Sequence, residues 1–296
     1  MTNVTDFRPR RSVLYMPGSN ARALEKARTL DADTLILDLE DAVAPDAKEA
    51  ARDAVAAAVK SGGYGHRELV IRINAADTPW GAADLEAAIE ARPDAILIPK
   101  VSVSADIERI ADRVNAGHAP ARVKLWAMME TPLAMLNARD IAAAARNPET
   151  RLACFVMGTN DLAKETRARI LPGRAPMMPW LMACVAAARA YGLDIVDGVY
   201  NDFNDESGFA AECLEGAEIG MDGKTLIHPK QIGPANVAFS PSDEEVNRAR
   251  KIIAEFDKPE NARKGAIQVD GKMVERLHAD MGRRTVALAE AIAARA

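Results

Sequence analysis

Two acidic residues stand behind neighbouring apolar runs of the sequence. Glu130 directly follows the run Lys124–Met129, and Asp161 lies shortly after Leu152–Met157. Two converging carboxylates with no imidazole or thiolate ligand beside them form an oxygen-only site, which suits Mg2+. The alternative is that each acid caps the helix after it, since a Thr-Pro pair follows Glu130. The sequence favours the metal site, because both acids precede loops expected on the same face.

An acidic turn and one arginine form a second group. Asp38, Glu40 and Asp41 end the apolar run that begins at Thr34. We expect these acids to act through metal-bound water or as helix caps rather than as direct metal ligands. Arg72 lies inside another apolar run, where its planar guanidinium must meet an anion such as a carboxylate or an oxyanion. A buried ion pair with Asp38 or Glu40 is the alternative.

Lys100 and His228 are further candidates. Lys100 follows an apolar run and a proline, and its amine could form a Schiff base with a carbonyl substrate. The surrounding acids, however, would keep that amine charged. We therefore favour a structural or substrate-orienting role for Lys100. His228 is either a general base or, as a lone histidine before a proline, a hydrogen-bonded loop anchor.

The elements that must position these residues follow a strand–helix rhythm. Continuous apolar strands separated by amphipathic helices indicate a parallel sheet covered by helices, and eight strand–helix units close a barrel. An open doubly wound sheet is the rival, but its glycine fingerprint is missing after the first strand. We predict a (β/α)8 TIM barrel with strands at Ser12–Met16, Thr34–Leu39, Glu68–Ile73, Ala95–Ile98, Lys124–Met129, Leu152–Met157, Asp194–Val196 and Lys224–Ile227.

Predicted helices lie between the strands, and polar residues stand at the strand ends. In such barrels the reactive groups lie at the carboxyl ends of the strands. The helix from Ala47 places Lys48, Arg52 and neighbouring charges on a solvated face. The other helices are predicted at Gly81–Ala91, Ala105–Asn115, Leu133–Ala145 and Pro179–Tyr191.

The polar residues at the carboxyl ends of the predicted strands are the candidates for a site. They are Tyr15, Asp38, Glu40, Asp41, Arg72, Asn74, Lys100, Glu130, Asp161, Asp197 and His228.

The last part of the chain falls outside the barrel count. Helices are expected from about Ile232 and Ser242, then a polar connector Lys258–Asp270 and a final helix Met273–Ala294. The predicted division is a barrel domain at 1–240 and a helical extension at 241–296. The extension is too short to fold alone, so it must pack on its own barrel or on a neighbouring subunit.

Composition excludes several classes of protein. The 296 residues are 49% hydrophobic and 27% charged, which is typical of a globular chain and not of a disordered one. A net charge of −5 gives no electrostatic footprint for nucleic acid. The three cysteines indicate a reducing compartment rather than a disulfide framework. With no spanning apolar run or leader segment, we expect a cytoplasmic protein without membrane or nucleic-acid partners.

Several motifs resemble those of the citrate lyase β-subunit and malyl-CoA lyase (HpcH/HpaI aldolase) superfamily. The resemblance covers essentially the whole chain, and its thioesterase branch, acting on (3S)-malyl-CoA, is the most similar. The segments that carry it are Arg11–Ser19, Leu37–Pro45, Arg72–Asn74, Trp126–Thr131, Met157–Glu165, Val196–Asn201 and Asp222–Gln231.

The resemblance implies a set of site residues. Glu130 and Asp161 would be the Mg2+ ligands, and Arg72 would hold the substrate near the metal. The residues implied in binding substrate or coenzyme A are Tyr15, Lys26, Arg72, Ile227 and His228. It also implies a homo-oligomer, either a trimer or a hexamer.

Two positions depart from the lyase members of this superfamily. Asn20 stands where those lyases have an arginine, with Arg22 two residues on. Glu275 stands where they have an aspartate that the tail of the adjacent subunit contributes. One methylene displaces a carboxylate by roughly a bond length, and misplacement by about 1 Å can cost about a hundredfold in rate.

The resemblance and these departures together predict Mg-dependent hydrolysis of (3S)-malyl-CoA, or a similar short β-hydroxyacyl-CoA, to the free acid and coenzyme A. Glu275 of a neighbouring subunit would act as general base; otherwise it is a solvated helix residue. The alternatives are reversible carbon–carbon cleavage of malyl-CoA or β-methylmalyl-CoA to an acyl-CoA and glyoxylate, and a citrate lyase β-subunit-like component acting on a carrier-bound thioester.

Overall fold

Eight parallel strands form a closed barrel in the computed structural model, which describes residues 7–295. Each strand pairs with the next in sequence, and β8 pairs with β1 to close the ring. The predicted (β/α)8 barrel is confirmed, and the predicted strand ends agree with the structure to within one residue. The strands are β1 Ser12–Pro17, β2 Thr34–Asp38, β3 Glu68–Arg72, β4 Ala95–Ile98, β5 Lys124–Met129, β6 Leu152–Met157, β7 Asp194–Asp197 and β8 Gly223–Leu226.

Helices cover the outside of the barrel, as the sequence predicts. Their periodic apolar faces pack on the strands, while side chains inside the barrel form a separate cluster around Trp126. The helices of this unit are α1 Ala21–Lys26, α2 Lys48–Ser61, α3 Gly81–Ala91, α4 Ser104–Ala116, α5 Pro132–Ala143, α6 Thr159–Thr166, α7 Met178–Ala190, α8 Glu206–Glu218 and α9 Ile232–Ala238.

Lys48 at the start of α2 is not solvated, and that prediction is wrong. Its ammonium is buried and donates hydrogen bonds to the carbonyls of Leu39 and Glu40 at 2.8 and 2.7 Å. A third bond of 2.8 Å reaches Oδ1 of Asn74. Helical periodicity marks the polar face of α2, but it does not reveal that the acidic turn folds back over the first residue of that helix.

The described chain divides into two compact units, one at 10–239 and the other formed by residues 7–9 together with residues 240–295. In the second unit, α10 (Asp243–Phe256) packs against α11 (Arg276–Ala293). Ile252 and Phe256 of α10 share a small apolar core with Val274.

The second unit also contains a hairpin that the sequence interpretation missed. β9 (Ala266–Val269) and β10 (Lys272–Glu275) pair antiparallel across Asp270 and Gly271. Both turn residues have positive φ, 51° and 75°. An Asp-Gly pair is a common hairpin turn, so the signal was present inside the stretch predicted as a polar connector. The final helix therefore begins at Arg276 rather than at Met273.

All three cysteines, Cys154, Cys184 and Cys213, are buried and free, as expected. Among the helices described within residues 7–295, none has the length and apolarity needed to cross a membrane.

Candidate active site

Glu130 and Asp161 come together at the carboxyl ends of β5 and β6. These strands are neighbours, and the ladder continues beyond them through a 3.1 Å bond from the Gly158 amide to the Met129 carbonyl. Neither acid is a helix cap: Thr131 caps α5 by accepting a bond from Ala134, and Asp161 lies within the first turn of α6. The helix-cap alternative is therefore wrong for both acids, which lie at the barrel mouth instead.

A single ammonium lies between the two carboxylates. Lys100 Nζ is 2.7 Å from Oδ1 of Asp161 and 3.7 Å from Oε1 of Glu130. The Lys100 amide also donates a 2.7 Å hydrogen bond to Oε1 of Glu130. Because one ammonium reaches both acids, the two carboxylates converge on the same point at the barrel mouth.

The charge state of Lys100 agrees with the interpretation that disfavours a Schiff base. Burial alone would lower the pKa of Lys100, but its hydrogen bond to Asp161 and the charge of Glu130 raise that pKa above its usual value. An amine held as ammonium is a poor nucleophile toward a carbonyl carbon.

Glu130 carries an unsatisfied oxygen. Its side chain is almost fully buried, and Oε2 has no hydrogen-bond partner. Burial raises the pKa of this carboxyl, while the nearby Lys100 opposes the rise. A buried carboxylate oxygen without a donor is costly, so this atom is suited to a cation that the protein side chains do not supply.

The donor set at this position fits Mg2+. Within residues 7–295, no three His, Cys, Asp or Glu side chains form a ready-made metal cluster. Mg2+ does not need one, because it binds through one or two carboxylates and fills its other positions with waters and substrate oxygens. Glu130 and Asp161 would supply those carboxylates.

Asp38 and Arg72 are register partners at the ends of β2 and β3. Arg72 donates two bonds to Asp38, from Nε at 2.6 Å and from Nη2 at 2.7 Å. Asp38 also accepts the amides of Glu40 and Ala42 at 2.9 and 3.1 Å. Asp38 thus orders the acidic turn and aims Arg72, so the ion pair considered as an alternative for Arg72 is present in the structure.

Nη1 is the nitrogen of Arg72 that Asp38 leaves available. It lies 2.8 Å from Oε2 of Glu40 and 3.5 Å from Oδ2 of Asp41. No donor reaches Glu40 Oε2 with hydrogen-bond geometry. Burial raises the pKa of Glu40 to about 8 against the charge of Arg72, and the neighbouring acids Glu130 and Asp41 add to the rise.

Tyr15 lies under the same arginine, whereas Lys26 stands apart. The Arg72 guanidinium is 4.8 Å from the centre of the Tyr15 ring, and burial raises the pKa of that phenol. Lys26 is the exposed last residue of α1. Asn20, which stands where the lyase members have an arginine, caps α1 by accepting the amide of Ala23 at 3.0 Å. Asn20 therefore has a structural role.

His228 anchors the loop after β8. Its Nδ1 accepts the Lys230 amide at 3.2 Å, and its ring stacks on Phe203 with centroids 4.7 Å apart. Gln231 Oε1 accepts the amides of Ile227 and His228 at 2.9 and 3.1 Å. These contacts match the loop-anchor interpretation, and they leave the Ile227 side chain exposed at the surface.

Glu275 belongs to the second compact unit. It ends β10 and is the N-cap residue of α11, and its own amide donates a 2.9 Å bond to Nδ1 of His278. The side chain is exposed, so it is free to meet another molecule. Its assignment as a general base stays a prediction.

Asp197 is the strand-end acid that the structure assigns to scaffolding. It is fully buried at the end of β7 and is held by Arg174 at 2.7 Å and by Lys224 at 2.9 Å. Burial alone would raise the pKa of Asp197, but Lys224 and Arg174 hold it below its usual value. Sequence reasoning did not find Arg174 as a partner, because the ion pair joins residues distant in the chain.

Comparison with known protein families identifies the family of this chain. The model of the HpcH/HpaI aldolase/citrate lyase family matches residues 11–229, which is most of the chain. The chain belongs to this family. The predicted resemblance is therefore confirmed.

Three relatives illustrate the range of the HpcH/HpaI family around this member. The (3S)-malyl-CoA thioesterase of Cereibacter sphaeroides is 54% identical over 97% of this chain and 96% of its own. The citrate lyase subunit beta of Escherichia coli is 32% identical over 96% of this chain and 94% of its own. CitE from Mycobacterium tuberculosis, solved with magnesium, acetoacetate and coenzyme A, has a TM-score of 0.73 and 29% identity and covers 94% of this chain and 97% of its own.

Proposed function

We propose that this protein hydrolyses (3S)-malyl-CoA, or a similar short β-hydroxyacyl-CoA, to the free acid and coenzyme A with Mg2+ as cofactor. The observation that carries the proposal is the convergence of Glu130 and Asp161 on one cation, at the end of the barrel that also bears Arg72. The substrate rests on the 54% identity to the (3S)-malyl-CoA thioesterase of Cereibacter sphaeroides.

Glu130 and Asp161 would hold the metal. When bound, Mg2+ supplies a Lewis acid that polarises substrate oxygens. The proposed ligand atoms are Oε2 of Glu130, which has no hydrogen-bond partner, and Oδ1 of Asp161, which is paired with Lys100. In this proposal Asp38, Glu40 and Asp41 order the surroundings rather than bind metal, because Asp38 is already engaged by Arg72 and two backbone amides.

Arg72 would orient the substrate and stabilise the oxyanion that develops on the thioester carbonyl. Its Nε and Nη2 are fixed on Asp38, so the guanidinium cannot turn and Nη1 is presented in one direction. A donor that is already oriented requires no reorganisation as charge develops. Tyr15 supports the guanidinium from below with its ring.

Glu275 of a neighbouring subunit would be the general base, acting directly or through a water molecule. Its side chain is exposed, so it can reach the active site of another copy of the chain in an oligomer. Replacement of Glu275 by Ala should lower the hydrolysis rate at least tenfold; hydrolysis at the wild-type rate would remove this role from the proposal.

The proposal has three further parts. Lys26, Ile227 and His228 would bind coenzyme A. The chain would form a trimer or a hexamer, and the protein would be located in the cytoplasm. Lys26 and Ile227 are exposed, and three buried free cysteines suit a reducing compartment. Sedimentation analysis of the pure protein tests the assembly, for which a monomer would be the contrary result.

Product identification separates this proposal from its two alternatives. The pure chain is incubated with (3S)-malyl-CoA and Mg2+, free thiol is measured, and glyoxylate is trapped as a hydrazone. Thiol with malate supports hydrolysis, whereas glyoxylate with acetyl-CoA identifies a lyase. If only a carrier-bound thioester reacts and free coenzyme A esters do not, the protein is a component that needs a carrier partner.

A further inference from the structure

We propose that Lys100 is a built-in counter-ion that occupies the acid pair and is displaced when the divalent ion binds. The inference rests on the metal site of the proposed function and adds a residue that sets its affinity. The Lys100 ammonium lies 2.7 Å from Asp161 Oδ1 and 3.7 Å from Glu130 Oε1, between the two carboxylates that would bind Mg2+.

The backbone brings Lys100 to this position. Lys100 has a φ of 55°, in the left-handed region that a non-glycine residue rarely adopts. In this conformation its amide donates a 2.7 Å bond to Glu130 Oε1 while its ammonium reaches across to Asp161. Such uncommon conformations persist only where the surrounding structure holds them, and they are frequent at functional sites.

The exchange follows from charge and access. Two carboxylates, one of them buried, repel each other unless a cation lies between them. The Lys100 side chain is one-third exposed, so it has room to swing toward solvent. An ammonium and a divalent ion this close to the same oxygens repel each other strongly, so binding of the metal requires the lysine to leave.

A counter-ion and a structural support predict opposite changes in metal affinity. If Lys100 competes with Mg2+, removal of its charge strengthens metal binding and lowers the thermal stability of the metal-free protein. If Lys100 only supports the position of Glu130, removal of its side chain disorders the acid and weakens metal binding. The sign of the change therefore decides between the two roles.

The test measures Mg2+ binding by isothermal titration calorimetry on the full chain, without substrate. The variants are Lys100→Met, Lys100→Arg, which keeps the charge, and Lys124→Met, which removes an exposed charge at the opposite end of β5. We expect Kd to fall at least tenfold in K100M and to stay within threefold of wild type in K100R and K124M. An unchanged or higher Kd in K100M overturns the inference.

Thermal unfolding gives a second measurement that needs no activity. K100M should have a lower Tm than wild type in EDTA and a larger rise in Tm on addition of Mg2+. If K100M does not fold, Lys100→Gln serves in both measurements with the same expected signs. Failure of the wild-type protein to bind Mg2+ would overturn the metal site itself, whereas wild-type binding without a gain in the uncharged variant, K100M or K100Q, overturns only the counter-ion role.

Discussion

Asp38 and Arg72 face each other at the last positions of β2 and β3 and are joined by two hydrogen bonds of 2.6 and 2.7 Å. The strand register makes them neighbours, and the fork geometry of a guanidinium matches the two oxygens of a carboxylate. This pairing leaves one nitrogen of the arginine, Nη1, directed at Glu40 and Asp41 of the acidic turn, at 2.8 and 3.5 Å. The ion pair therefore orients Arg72 without involving Glu130 or Asp161, the proposed metal ligands.

Replacement of Arg72 by Lys tests this alignment. A lysine keeps the positive charge but cannot bond both oxygens of Asp38 and present a further donor at the same time. We expect kcat/KM for the thioester to fall about a hundredfold, a loss typical of removing one oriented oxyanion donor. The exposed Arg109→Lys is the matched control. An R72K enzyme with wild-type kcat/KM would contradict the role of Arg72.

Gly158→Ala tests the position of Glu130. A methyl group at residue 158 would lie 2.6 Å from Oε2 of Glu130 and closer still to its Cβ. The carboxylate must move, so we expect weaker Mg2+ binding and at least a tenfold loss of activity in G158A. Gly233→Ala, in α9, meets no atom within 4 Å and should leave both quantities unchanged. Equal behaviour of the two variants would show that the placement of Glu130 does not matter.

Glu40 gives a signed dependence of stability on pH. Its pKa is about 8 in the folded protein against 4.5 ordinarily, so the folded state holds a proton that the unfolded state loses between these values. Stability contributed by Glu40 therefore falls as pH rises through that window, by on the order of a few kcal/mol. In EDTA, Tm should decline more steeply from pH 5 to 8 in wild type than in Glu40→Gln. Parallel declines would contradict the raised pKa.

Asp197→Asn should destabilise the barrel without touching the proposed metal ligands. The change leaves Lys224, which is fully buried, and Arg174 without their shared carboxylate. Breaking a buried ion pair from one side costs about 3–5 kcal/mol. Urea unfolding measures the loss, with the exposed Asp140→Asn as control. A free energy of unfolding equal to that of wild type would rule out a scaffolding role for Asp197.

Much of this architecture could be predicted from the sequence, because the signals are local. Strand runs such as Lys124–Met129 are continuous and apolar, and the helices between them are periodic, so the barrel and the strand-end position of Glu130 follow. The resemblance to the family then assigned roles to these strand-end residues.

The parts that could not be predicted depend on contacts between distant segments. The burial of Lys48 depends on the fold of the acidic turn, and the pairing of Arg174 with Asp197 joins residues from different loops and strands. The hairpin before α11 was hidden for another reason: its strands are short and polar, and only the Asp270-Gly271 turn marks it.

The central claim is that hydrolysis depends on a metal ion held by Glu130 and Asp161. The most direct measurement is thiol release from (3S)-malyl-CoA at saturating Mg2+ by wild type, Glu130→Gln and Asp161→Asn, each checked for folding by circular dichroism. The account predicts Mg-dependent, EDTA-sensitive release by wild type and at least a hundredfold lower rate in both variants. Wild-type rates in either folded variant, or hydrolysis that persists in EDTA, would contradict it.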